Sequence, residues 1–341
     1  MKTFILAFIA SAAAAVIGGF AAVPLLKKLK VGQNILGYVK EHDYKSGTPT
    51  MGGMIFVVAA IIVFSVFSSG KKSLAFVSVA IGAAYLLVGF ADDFIKVRLR
   101  RNEGLNPLQK TIFELVIATV ISIYSYKRGV TNAFIPFTRG SVDFKGFFIP
   151  FCVLVFLATT NSVNLTDGLD GLAGGVSYVY LLALAALIVL QTILFSGSYA
   201  NTDEYKNLSL LCVSLAGGII GFLLFNTFKA SVFMGDTGSL SLGGFIASIS
   251  IFSGNSLFIP IMGVMFVLSS VTVIIQVLHF RRTKKRVFLM APLHHHFQHK
   301  GYSESKIVFA YKFATLIVSL LCFIFMGNGL IRLAINIYLQ T

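Results

Sequence analysis

The sequence predicts an all-α polytopic membrane protein, and two observations lead to that fold class. Of its 341 residues 56% are hydrophobic and only 12% are charged, with a mean hydropathy of +0.85, which is too apolar for a soluble chain of this length. The apolar residues also gather in runs of about 20, the length a helix needs to cross a hydrocarbon core roughly 30 Å thick. The alternating pattern of a membrane β-barrel is absent, so the spanning elements are expected to be helices.

About ten such runs can be read, at 3–26, 51–69, 73–92, 111–127, 147–163, 174–195, 207–226, 238–253, 257–280 and 308–335, giving a single integral membrane domain over 1–341. The first resembles a signal peptide, with Lys2 ahead of an apolar stretch and small residues at Ser11–Ala15. It continues to Leu26, however, and an ordinary loop follows from Lys27, so it is read as a span. Cys152, Cys212 and Cys322 each fall inside a run and suggest neither a disulfide framework nor a zinc site.

A net charge of +15 raises the question of nucleic acid. With both termini placed outside, the loops after spans one, three, five, seven and nine lie inside and hold 19 of the 28 basic residues, so the positive-inside bias explains the charge without a nucleic-acid partner. Lys71, Lys72, Lys127 and Arg128 run against the trend.

The first inside loop ends in KSGTPTMGG, where Lys45, Thr50 and the glycines could offer charge, a hydroxyl and backbone N–H groups to a phosphate; the plainer reading is a helix start with Thr50 as cap. Span three ends in GFADDFIKV, with Asp92 and Asp93 at the membrane edge ahead of the basic run Lys96, Arg98, Arg100 and Arg101. Adjacent carboxylates repel unless they share a cation, and the negative end of a helix dipole disfavours acids there. Asn106 and Pro107 mark the start of span four beside Lys110.

Between spans five and six lies NSVNLTDGLDGLAGG, a polar, twice-acidic insert. Asn161, Asn164, Asp167 and Asp170 offer oxygen atoms there, and either aspartate could instead simply cap the next helix. An EF-hand is excluded by its spacing. Span seven leads into FNTFKASVFMGDTGS, which brings Asn226, Phe233 and Asp236 to the fourth inside loop, with Asp236 as a possible N-cap of span eight. After span nine, with Gln276 near its end, comes APLHHHFQHKG; His294, His295 and His296 are contiguous, which suits anion binding or hydrogen-bond donation to a phosphate better than zinc.

All of these motifs follow odd-numbered spans, so they share one membrane face, where a cleft is expected. Five of the chain's 13 acidic residues lie there, beside lysines and histidines, which suits an oxygen-ligated divalent cation, most naturally Mg2+, and a phosphorylated substrate.

Taken together, the five motifs resemble those of the polyprenyl-phosphate N-acetylhexosamine-1-phosphate transferases, in the expected order and over essentially the whole chain. KSGTPTMGG and the unbroken triple histidine are most similar to the branch acting on UDP-N-acetylmuramoyl-pentapeptide. The resemblance implies Mg2+-dependent transfer of phospho-N-acetylmuramoyl-pentapeptide to undecaprenyl phosphate at the cytoplasmic face of a bacterial plasma membrane, giving lipid I and UMP for peptidoglycan synthesis. It implies Asp236 as the metal ligand, Asp92 or Asp93 against the lipid phosphate, and His294 and His295 by the sugar-nucleotide phosphates. Phe233 and Asp170 would bind uracil. Lys45, Thr50, Lys110, Asn161, Asn164, Asp167, Asn226, Gln276 and His296 would complete the pocket. A homodimer is a further expectation of the resemblance that the sequence neither supports nor denies. Two other readings stay open: a sister transferase moving N-acetylglucosamine-1-phosphate, and a cation-coupled transporter, which would put its carboxylates at the bilayer midplane in broken helices.

Overall fold

The structure, a computed structural model, describes residues 1–29, 47–99, 103–138, 140–194 and 202–338. Lys45 lies outside the described residues. The long helices are α1 (Lys2–Lys28), α2 (Gly53–Phe67), α3 (Ser73–Arg98), α4 (Pro107–Lys127), α5 (Phe148–Thr166), α6 (Leu172–Leu194), α7 (Thr202–Asn226) and α8 (Gly235–Phe252). They continue with a four-residue α9 (Ile259–Met262), α10 (Val264–Thr283), a seven-residue α11 (Leu293–His299) and α12 (Glu304–Tyr338). Nine of the ten apolar runs each fall on one helix. Among the described residues eight helices are long and apolar enough to cross a membrane; α2 is shorter, and α8, rich in serine and glycine, is not among the eight.

The reason lies in where α8 sits. Every residue from Thr237 to Phe252 is buried, because α3, α5, α2 and α6 pack around it. A helix enclosed by protein need not be uniformly apolar, since its hydroxyls find partners: Ser239 Oγ donates to the Gly235 carbonyl at 3.0 Å, Ser241 Oγ to the Gly82 carbonyl at 2.9 Å, and Tyr180 lies 3.2 Å from Ser250 Oγ. Small residues set the α3–α8 approach. A Cβ on Gly89 of α3 would overlap the backbone of Asp236 and Thr237, so glycine there lets the helices close at the end that carries the acids.

Several boundaries differ from the sequence reading. Helix α3 does not stop at residue 92 but runs to Arg98, so Lys96 is helical and lies one turn from Asp92. Asp236 stands in the first turn of α8 rather than in a loop. The ninth run is broken: a 3-10 turn at Ser256–Phe258 and α9 precede Gly263, after which α10 begins. Asn106 accepts from the Leu108 N–H at 3.0 Å with Pro107 as the first helical residue, as the sequence indicates.

The opposite end of the bundle holds an antiparallel β1–β2 hairpin (Asn132–Phe134, Ser141–Asp143), paired as Asn132↔Asp143, Ala133↔Val142 and Phe134↔Ser141. At that end the buried Glu204 of α7 accepts from the Ser73 and Leu74 N–H groups at 3.2 and 2.9 Å and from Ser73 Oγ at 2.6 Å, capping α3 from another helix.

Candidate functional site

Three carboxylates from two helices converge at the motif-bearing end. Asp92, Asp93 and Asp236 each present an oxygen, and the three oxygens lie within 4.8 Å of one another. Each aspartate is also fixed by its other contacts. Asp92 Oδ1 accepts from the Leu105 N–H at 2.8 Å. Asp93 is fully buried, and its Oδ2 accepts from Thr237 N–H at 3.0 Å and Thr237 Oγ1 at 2.7 Å. It therefore caps the N-terminus of α8 from α3, and Asp236 does not cap its own helix. Asp93 Oδ1 is left buried with no hydrogen-bond partner.

Two ammonium groups balance the acids. Lys96 Nζ lies 2.6 Å from Asp92 Oδ2, 3.1 Å from Asp236 Oδ2 and 3.9 Å from Asp93 Oδ1. Lys110 Nζ lies 3.0 Å from the same Asp236 oxygen and 3.4 Å from Asn164 Oδ1. Asn164 in turn donates to Asp236 Oδ1 at 2.7 Å and to Ser239 Oγ at 2.8 Å. Gly235, at φ +72°, completes the corner: a side chain there would collide with Asp93 and Thr50, whose Oγ1 is buried without a hydrogen bond. Thr50 consequently does not cap α2; Gly52 holds that position.

Glu114 was not singled out by any motif. It is buried one turn along α4 from Lys110, where Asn161 Nδ2 donates to its Oε2 at 2.6 Å and Thr160 Oγ1 at 3.4 Å, while its Oε1 has no partner. The sequence signal was a carboxylate inside a span, which at that depth needs a partner.

The α5–α6 turn and the α7–α8 loop are tied to each other. Asp167 is the residue that closes α5, not a cap of α6; burial, then the carboxylates of Asp236, Asp93 and Asp170, push its carboxyl up to about 8. Asp170 Oδ2 accepts from the Ala230 N–H at 3.0 Å. Asn226 Oδ1 accepts from the Gly171 N–H at 3.2 Å, and its Nδ2 donates to the Val232 carbonyl at 2.9 Å. Phe233 is half-buried and its backbone pairs with the Thr50 segment, N–H to Pro49 carbonyl at 2.8 Å and carbonyl from Gly52 N–H at 2.9 Å. Asp170 and Asn226 thus act directly on the backbone that carries Phe233.

The histidines divide. His294 is fully buried, neither ring nitrogen has a partner, and a Cβ on Gly168 would strike its Nε2. Burial, then the neighbouring His295, holds its pKa well below 6.5, so it is a neutral imidazole with one donor and one acceptor rather than a fixed positive charge. Tyr311 of α12 meets it edge-on at 6.4 Å between centroids, with a buried hydroxyl that also lacks a partner; no motif had marked this tyrosine. His295 Nδ1 lies 2.7 Å from Gln298 Oε1. His296 Nδ1 accepts from the Leu289 N–H at 3.1 Å, and Gln276 Oε1 accepts from the Val287 and Phe288 N–H groups at 3.0 Å each. Gln276 and His296 therefore hold the α10–α11 loop in shape.

The family model for glycosyl transferase family 4 matches residues 75–254, the stretch that holds the three aspartates. Three relatives named phospho-N-acetylmuramoyl-pentapeptide-transferase match almost end to end. The protein from Caldanaerobacter subterraneus subsp. tengcongensis is 42% identical over 95% of this chain and 98% of its own. Those from Thermoanaerobacter sp. strain X514 and Clostridium perfringens strain 13 are each 40% identical, over 95% and 94% of this chain and 98% and 97% of their own. The chain belongs to the phospho-N-acetylmuramoyl-pentapeptide-transferase family. It is an integral bacterial membrane protein.

A divalent cation fits this transferase's acidic cluster. The donor set is all oxygen, which suits a hard cation, and Asp93 Oδ1 is buried without a hydrogen bond, with the Lys96 ammonium at 3.9 Å.

Proposed function

We propose that this chain transfers phospho-N-acetylmuramoyl-pentapeptide from its UDP carrier to undecaprenyl phosphate, forming lipid I and UMP, with the cluster of Asp92, Asp93 and Asp236 as the reaction centre. The observation that carries the site assignment is the meeting of these three aspartates with Lys96 and Lys110 at one end of the bundle. By the positive-inside bias of the sequence this end is read as cytoplasmic, with both termini outside. The whole of 1–341 acts as one membrane transferase domain.

The chemistry needs little base catalysis. A phosphate monoester has a second pKa of about 6, so the lipid phosphate is largely ionised at pH 7. Its oxygen attacks the phosphorus that bears the sugar, the bond from that phosphorus to the UMP oxygen breaks, and UMP leaves with the electron pair. The difficulty is to bring two anions into line, which falls to positive charge and positioning. Magnesium held by Asp236, with Asp92 and Asp93 at hand, would supply charge neutralisation on the phosphates. Asn164 and Lys110 fix the Asp236 carboxylate, and Thr237 fixes Asp93. Neutral His294 donates a hydrogen bond to a sugar-nucleotide phosphate, beside His295. Phe233 stacks on uracil, with Asp170 and Asn226 holding its loop. Asp167, Asn161 and Thr50 complete the pocket wall, and the family resemblance adds Lys45 as a substrate-binding residue.

We take the transfer as a single displacement, because the largely ionised lipid phosphate can itself attack the sugar-bearing phosphorus. UMP release from UDP-N-acetylmuramoyl-pentapeptide, absent with UDP-N-acetylglucosamine, tests the donor. A covalent phospho-sugar adduct trapped on an aspartate without lipid acceptor would overturn the single displacement.

A further inference from the structure

We infer that the Lys96 ammonium is a tethered counter-ion of the metal site: it stands between the three carboxylates, must move aside when the divalent cation binds, and is then free to meet the incoming phosphate. The inference rests on the metal site proposed above.

Lys96 Nζ contacts all three acids, at 2.6, 3.1 and 3.9 Å, whereas Lys110 is paired only with Asp236 among them. One oxygen from each aspartate lies within 4.8 Å of the others, and the ammonium stands within 3.9 Å of an oxygen of each. A dication on the same oxygens would face it at a few ångströms, inside a site where Asp92 and Asp93 are almost wholly shielded from water. Like charges at that range repel strongly in poorly screened surroundings, so the two cations exclude each other. Lysine suits the exchange, being a compact point charge on a flexible four-carbon stem, and Lys96 stands in the last turn of α3, from which it can swing without unwinding the helix. Metal loading would thus convert an internally neutralised centre into one with a freed ammonium beside it, and metal and anionic substrate would bind cooperatively. A lysine that merely braced the fold would make no such exchange.

The test is Mn2+ binding to the detergent-solubilised protein, followed by loss of the free-ion signal in electron paramagnetic resonance. Lys96→Met should bind Mn2+ roughly tenfold more tightly than wild type, the usual lower range of a coupling between two sites. Unchanged or weaker binding in Lys96→Met overturns the inference. Asp236→Asn separates the two levels: if it binds Mn2+ as wild type does, the metal site itself is misplaced, whereas lost binding there with no gain in Lys96→Met sinks only the counter-ion. Should Lys96→Met fail to fold, amine acylation of the wild-type protein decides. Lys96 should be acylated several-fold faster with Mg2+ present, with Lys72 at the far end as the internal reference, and an unchanged or slower rate contradicts the exchange.

Discussion

Gly89→Ala is the sharpest probe of how the fold builds the site. The new methyl group would overlap the Asp236 carbonyl and the Thr237 nitrogen, which are backbone atoms and cannot rotate away. Overpacking of this kind costs about 1–3 kcal/mol. Alanine returns roughly 1 kcal/mol through its better helix propensity. The net loss is about 0–2 kcal/mol, so the bundle still folds, with a thermal midpoint lower by a few degrees. The relief, however, must come from separating α3 and α8, and those two helices carry Asp92 and Asp93 on one side and Asp236 on the other. A displacement of about 1 Å between reacting groups costs on the order of a hundredfold in rate. Thermal unfolding in detergent and UMP release on the same preparation should therefore diverge, with stability nearly kept and activity nearly lost. Gly18→Ala is the control, because no atom outside its own helix neighbourhood lies within 4 Å of the added carbon, and it should keep wild-type activity with a thermal midpoint at or slightly above that of wild type. Near wild-type activity in folded Gly89→Ala would refute the claim that this helix contact sets the spacing of the acids.

Other outcomes follow from single contacts. Glu204→Ala removes the cap on α3 at the far end and should cost about 1–2 kcal/mol of stability while leaving the activity of the folded fraction unchanged. Asn226→Ala leaves the Gly171 N–H and Val232 carbonyl unpaired and frees the Phe233 loop, so KM for the UDP substrate should rise more than kcat falls, as steady-state kinetics will show. Asp93→Asn can still accept from Thr237 but loses its charge, so it should unfold near the wild-type temperature yet release little UMP; Asp93→Ala should lose both. His294 is held neutral below its unfolded pKa of about 6.5, so the unfolded chain binds its proton first and stability falls as the pH drops below that value. Thermal scans from pH 7 downward should show a shallower fall in His294→Gln.

The helices and the shared face of the motifs were legible because both rest on local patterns: run length, charge bias and parity along the chain. The contents of the site were only partly so. Lys96 read as part of a positive-inside loop because span three was ended at Asp92; the six further helical residues turn it back onto its own acids. Glu114 sat within a run counted as apolar, and its partner Asn161 stands 47 positions away, a pairing no local pattern contains. Gln276 and His296 carried polar groups at the right end of the bundle, but the Gln276 amide and His296 Nδ1 are occupied by the backbone of residues 287–289. Asn226 is likewise committed to Gly171 and Val232. Spacing can bring a side chain to a site, but only packing decides which of its atoms remain available. The hairpin at Asn132–Asp143 went unseen because strands of three residues each leave too short a pattern to read.

The most direct measurement is Mg2+-dependent UMP release from UDP-N-acetylmuramoyl-pentapeptide and undecaprenyl phosphate by the detergent-solubilised protein and its Asp236→Asn variant. If the three aspartates are the reaction centre, release requires Mg2+ in the wild type and is lost in the variant while its fold persists. Retained release in Asp236→Asn would remove Asp236 from the centre and contradict the assignment.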